Sequence, residues 1–247
     1  MDAEEQAAPG MVPDGAFRRV VGAIFSPRAT FESIARKPTW LVPVLLLIAL
    51  QLCLVASFTY RVGWRQTEEK AQASTSSFRQ LTPQQQEQRL EIAIRWAPVA
   101  GALGAIIGVP LILVIVAAVS LGVFNVIFGT SIKFSQSFAI NAYGGMPGGL
   151  RFLLALLIVW VRPPQGVDIQ HLVMSNVAAF MPAGAPLWQT TLGSFLDVFA
   201  LWGIVLMAVG YAAASEKKVR FGGALAVLVA LWLAFMLVVA GALAFLG

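Results

Sequence analysis

Arg151 and Asp197 each stand inside a long apolar run, and a charge at membrane depth is costly enough to be read first as functional. Counting along helices places Arg151 ~15 Å and Asp197 ~8 Å below the same membrane edge. An Arg side chain spans that difference, so an interhelical ion pair is expected. The alternatives are a substrate or proton site built on the same two groups, and an Arg that snorkels to the surface. Other chemistry is sparse. The single histidine, His171, has no Ser or acid partner at a recognisable spacing and reads as interfacial. The single cysteine, Cys53, lies in an apolar run, where a thiol is buried and inert. One Cys and one His argue against a disulfide framework and a Cys/His metal site. No Gly-Lys-Ser/Thr phosphate loop, Gly-x-Ser-x-Gly elbow or His-Glu-x-x-His pair occurs. The expectation is a protein that is not an enzyme, with no catalytic residue, cofactor or metal.

The elements that must position these groups follow from composition and charge. Of 247 residues, 58% are hydrophobic and 12% charged, against roughly 25% charged in soluble domains. The excess must face lipid, and the gaps between charges mark the spans, each needing about 20 residues. Five are expected: Trp40 to Phe58; one long tilted helix from Ala97 to Phe128, kinked at Pro110; Phe138 to Val161, broken at Gly144-Gly-Met-Pro147-Gly-Gly149; Leu192 to Ala213; and Phe221 to Phe245. His171 to Ala185 is too short to cross and reads as interfacial or re-entrant. The fold class is therefore an all-α polytopic membrane bundle with N-terminal amphipathic interfacial helices. Its divisions are a disordered tail at 1–14, amphipathic helices at 15–39, and a five-span domain at 40–247 carrying an extra-membranous helical hairpin at 61–96.

In the entry segment Phe17, Val20, Val21, Ile24 and Phe25 recur at i, i+3, i+4, i+7 and i+8, an apolar stripe with Arg18 and Arg19 off it. Ser26-Pro27 reads as an N-cap and first-turn proline opening a second helix, with Phe31 and Ile34 inward. Both helices are expected on an anionic cytosolic leaflet, with docking of a cytosolic protein as the alternative. In the hairpin, Thr82-Pro83-Gln84-Gln85 has the form of a capping box. Gly104-x-x-x-Gly108, and two overlapping copies within Gly144 to Gly149, are small-residue patterns read as intrachain helix packing, with dimerisation as the alternative. The first 39 residues hold no apolar stretch of signal-peptide type, so the first span is expected to direct its own insertion. Basic residues at 18–37 and at Lys217, Lys218 and Arg220 place the N-terminus in the cytosol and, with five spans, the C-terminus outside. Six basic residues between 61 and 97 run against that rule. The net charge of +5 is thereby explained by span flanks, and nucleic-acid binding is not supported.

Three stretches together resemble the Yip-domain membrane proteins of bacteria, relatives of the eukaryotic Rab-interacting Yip family. They are Phe25-Ser-Pro-Arg-Ala-Thr-Phe31-Glu-Ser-Ile34 with Pro38-Thr-Trp40-Leu-Val-Pro43, Ala142-Tyr143-Gly144-Gly-Met-Pro147, and Leu196-Asp197-Val-Phe199-Ala-Leu-Trp202 running to Gly210. The resemblance implies a five-span helical domain of the cytoplasmic membrane with recurrent positions at Tyr143, Gly144, Pro147, Asp197, Phe199 and Trp202. It does not extend to Rab-type GTPase binding, because the acidic Leu-Tyr-Gly-Pro element of the eukaryotic N-terminal region is missing. The expected role is an accessory or scaffold in membrane assembly or envelope organisation, partnered by the lipid bilayer and a protein of a membrane complex. The alternative is a small transporter or lipid-handling protein using the broken third span and Asp197.

Overall fold

The computed structural model describes residues 15–73, 76–165, 167, 169, 172–182 and 185–246; the expected tail at 1–14 and His171 lie outside them. Among the described residues every regular element is helical. Helices α1 (Ala16–Phe25) and α2 (Pro27–Arg36) lead into α3 (Leu41–Arg61), followed by α4 (Arg65–Ala73), α5 (Ser76–Arg79) and α6 (Pro83–Leu103). A π-turn (Gly104–Gly108) joins α6 to α7 (Val109–Phe128), so that Pro83–Phe128 forms one rod of 46 residues. Then come α8 (Phe134–Gly144), α9 (Met146–Val161), a single 3₁₀ turn (Val177–Phe180), α10 (Leu187–Phe195), α11 (Val198–Ala214) and α12 (Phe221–Leu246).

Four helical stretches are long and apolar enough to cross a bilayer: Leu41–Arg61, Pro83–Phe128, Phe134–Val161 and Phe221–Leu243. The fourth expected span departs from its prediction. Instead of one helix from Leu192 to Ala213, the chain breaks at Leu196 and Asp197, leaving α11 as a shorter apolar helix of 17 residues. Asp197 takes an extended conformation (φ −107°, ψ 133°), because its carboxylate caps α11 rather than riding on a continuous helix. At the expected kink near Pro110 the rod instead carries the π-turn Gly104–Gly108 just before the proline. Its ring would strike the carbonyl of Ile106, and the π-turn ending at Gly108, with its wider i→i+5 bonding, accommodates it. Gly104 and Gly108 also depart from expectation: a methyl on either meets nothing within 4 Å, so neither makes a close helix contact within the chain. Gly101, one turn earlier, makes the contact with α3, where its missing Cβ would sit 3.0 Å from Val55.

The outer surface of this rod carries exposed Leu103, Ile107, Leu111, Ile112 and Ile115, a face that only lipid covers without cost. Its polar extension packs against α4. Thr82 and Gln85 close a capping box around Pro83, and Arg65 ties α4 to α6 through Glu87 at 2.6 Å and to Glu69 at 3.2 Å. These two carboxylates, Glu87 first, hold the Arg65 guanidinium more firmly protonated than usual.

At the opposite end the entry helices are part of the core. Phe31 and Ile34 of α2 are fully buried, with Phe31 seated over Gly210 of α11. Gln136 of α8 donates to the Ala35 carbonyl at 2.7 Å. Helix α1 shows its apolar stripe split. Phe17, Val21 and Phe25 face outward, Ile24 is half-buried and Val20 is buried. Arg18 is exposed, but Arg19 corrects the expectation of a surface arginine: it is 3% exposed. Its guanidinium donates to the Lys37 carbonyl (3.0 Å), Thr39 Oγ1 (3.1 Å) and Ser33 Oγ (2.9 Å), pinning α1 to α2 and to the start of α3. Ser26 stands at the N-cap of α2 without a side-chain cap bond; its carbonyl accepts from Thr30 Oγ1 instead.

Candidate functional site

Two interrupted helices lie beside each other: α8/α9, broken at Gly145, and α10/α11, broken at Leu196 and Asp197. The first break follows from Gly144-Gly145 and from Pro147 in the first turn of α9, since Pro cannot donate back to the preceding turn. The break is filled by neighbouring groups. Gly144 faces α11, where an added methyl would collide with Met207 Cγ. A methyl on Gly203 would in turn meet the Gly144 carbonyl oxygen at 2.9 Å. Gly145 and Gly149 lie against Leu47 of α3 at ordinary van der Waals distance, and Gly149 also against Leu50. Met146 and Pro147 are buried. The small-residue reading therefore holds for Gly144, Gly145 and Gly149, while Gly148 meets nothing.

Above this crossing, antiparallel α8 and α11 enclose a polar knot. Ser137 Oγ and Tyr211 Oη are hydrogen-bonded at 2.5 Å, Asn141 Nδ2 donates to Tyr211 Oη at 2.9 Å, and Ser137 Oγ donates to the Ala117 carbonyl at 2.7 Å. Phe124 stacks on Tyr211 with ring centroids 4.3 Å apart. Tyr143, fully buried, reaches Thr39 Oγ1 at 3.4 Å and so joins the Arg19 cluster. Together these bonds tie α1, the approach to α3, α7, α8 and α11 into one unit.

The second break holds the anticipated charges. Arg151 Nη1 stands 3.9 Å from Asp197 Oδ2, with the Asp side chain 5% and the Arg 40% exposed. The expected pair is thus present as a proximity, at a distance too long for a hydrogen bond. The carboxylate's hydrogen bonds go elsewhere: to Ser175 Oγ and to the backbone N–H groups of Phe199 (2.8 Å) and Ala200 (3.3 Å). Val198 N–H donates to the Ser175 carbonyl, and Asn176 pairs with Asp197 in a bridge of β type. Ser175 belongs to the expected re-entrant segment. Val167 and Leu172 of the same connection pack on Leu54, Phe58, Ala155 and Val159 of α3 and α9. Spacing alone gave no sign of Ser175. A polar dipeptide, Ser175-Asn176, between apolar residues was the available signal.

The remaining positions singled out by motif fall on this frame. Phe199 and Trp202 are half-buried on α11, Trp202 packing against the main core. The family model for the Yip1 domain matches residues 21–243, a span that runs from α1 into α12 and contains both interruptions. The chain belongs to the Yip1 domain family. No curated protein and no solved structure matches it significantly. As a Yip1-domain protein with several membrane-crossing helices it is an integral multi-pass membrane protein, and lipid contact is part of its structure. Within the Yip1 domain Gly144 and Pro147 belong to the packed break and Tyr143 precedes it in α8, whereas Asp197 is the helix cap of the second.

Proposed function

We propose that this Yip1-domain protein is a non-catalytic accessory or scaffold protein of a membrane assembly or of envelope organisation. In this reading it crosses the cytoplasmic membrane five times, α10 and α11 together making the fourth crossing, with a cytosolic N-terminus and an outer C-terminus. The observation that carries the reading is the filled break at Gly144 to Gly149. A transport site needs discontinuous helices that line a wet cavity; here Met207, Leu47, Leu50 and the Gly203 backbone occupy that space. The entry helices, fixed to the bundle by Arg19, Phe31 and Gln136, support the same reading, since a rigid end with Phe17, Val21 and Phe25 outward suits a recruiting surface. The alternative of a small transporter or lipid-handling protein draws on the two adjacent interruptions and on half-exposed Arg151.

The experiment is crosslinking in intact native membranes followed by native electrophoresis in mild detergent. The scaffold reading predicts a discrete complex larger than the monomer in its micelle, unchanged by Asp197→Asn. Migration only as a monomer contradicts it.

A further inference from the structure

Three apolar helices end at one level: α3 at Arg61, α9 at Val161, and the apolar part of the long rod at Trp96, preceded by Arg95. Aromatic and basic groups ring that level. The Arg61 guanidinium lies 5.2 Å from the centre of the Trp160 ring, and Tyr60 stands 6.4 Å from Trp160, the arrangement of a bilayer–water boundary. An open cleft of about 880 Å³ sits there, lined among others by Val62, Trp64, Ile94, Glu91 and Arg95. Its size falls within the roughly 300–1,000 Å³ of small-ligand sites.

The charges in its walls divide into two sets. Arg65 is neutralised by Glu69 and Glu87. Glu91 and Arg95 are exposed, and among the described residues neither forms an ion pair. They stand four residues apart on α6, hence on one face and about 6 Å apart along the axis. A free carboxylate and a free guanidinium one helical turn apart, beside Val62, Trp64 and Ile94, match a ligand with an ammonium, a phosphate and an apolar tail. An anionic headgroup would satisfy Arg95 and leave Glu91 repelled.

We propose that this cleft binds an aminophospholipid of the phosphatidylethanolamine type, its phosphate on Arg95, its ammonium on Glu91 and its first acyl carbons against Val62 and Ile94. The cleft selects zwitterionic over anionic phospholipid through Glu91. The test is native mass spectrometry of the purified full chain with phosphatidylethanolamine or phosphatidylglycerol at equal mole fraction. The wild type is expected to retain more of the former. Glu91→Gln is expected to lower phosphatidylethanolamine retention about fivefold, the scale of one partly exposed ion pair, and to raise phosphatidylglycerol retention by relieving its repulsion. Arg95→Gln is expected to weaken both lipids, and Arg89→Gln, outside the cleft lining, neither. All three positions are exposed on α6, and an unchanged melting temperature verifies folding. Equal retention of the two lipids by the wild type overturns the proposal. So does a Glu91→Gln effect of the same size on both lipids, or Arg95→Gln with no effect.

Discussion

Gly203→Ala is expected to destabilise the protein, while Gly108→Ala, the same change in another membrane helix, is expected to be neutral or stabilising. The difference lies in what the new methyl meets. On Gly203 it would sit 2.9 Å from the carbonyl oxygen of Gly144, backbone at the buried end of α8 that moves only if the two helices separate. Separating α8 from α11 by enough to relieve the contact would disturb Met207 on Gly144, then Ile140 and Phe31 on Gly210, and with them the seat of α2. Overpacking of this kind costs about 1–3 kcal/mol. At Gly108 the methyl meets nothing within 4 Å and the backbone is helical (φ −64°, ψ −45°), so the change gains up to about 1 kcal/mol of helix propensity. Thermal unfolding in one detergent, with both variants beside the wild type, reads the sign of each.

The second large effect is at Asp197. Removing its carboxylate by Asp197→Ala deletes the cap of α11 and leaves Ser175 Oγ and the N–H groups of Phe199 and Ala200 without their acceptor, in a site where the residue is 3% exposed. The expected loss is about 2–3 kcal/mol. Asp197→Asn keeps an oxygen for the backbone and an equally good N-cap residue, so it is expected to cost about 1 kcal/mol or less, the value of a negative charge at a helix N-terminus. Exchanging the charges, Arg151→Asp with Asp197→Arg, is not expected to restore stability, because an arginine has no acceptor with which to cap α11. A charge-driven pair would behave differently: Asn would be as harmful as Ala, and the exchange would rescue. Unfolding temperatures of these three variants, beside the wild type and the single Asp197→Arg, separate the two accounts.

Much of this was legible in the residues, because lipid solvent makes the sequence speak plainly. Charge-free gaps gave the spans around α3, the α6–α7 rod, α8–α9 and α12, and Thr82-Pro83-Gln84-Gln85 announced the start of α6. Phe31 and Ile34 were correctly inward. Arg19 was not legible, since an amphipathic pattern sorts charges outward by type and cannot see that Ser33, Thr39 and the Lys37 carbonyl converge on one guanidinium from farther along the chain. The break at Asp197 was hidden by the apolar residues on both sides, although an aspartate ahead of Val198 and Phe199 carries the chemistry of a cap. Gly104 and Gly108 show the converse limit. Spacing places two small residues on one face, but only a partner helix turns that face into a contact. The same limit applied to Ser137 and Asn141, whose i, i+4 spacing was visible while Tyr211, the group they bind, lay 70 residues away along the chain.

The central claim, that the interruption between α8 and α9 is closed by packing, is tested most directly by thiol accessibility. In a Cys53→Ala background, Met146→Cys places a smaller side chain at a buried position beside Gly145, and Gln165→Cys places one on the exposed rim of the outer cleft. With the protein in sealed vesicles of mixed orientation, a membrane-impermeant thiol reagent is expected to label position 165 and to leave position 146 unmodified. Rapid labelling at 146 would mean that water reaches the break, and would contradict the packed, non-transporting core argued for this protein.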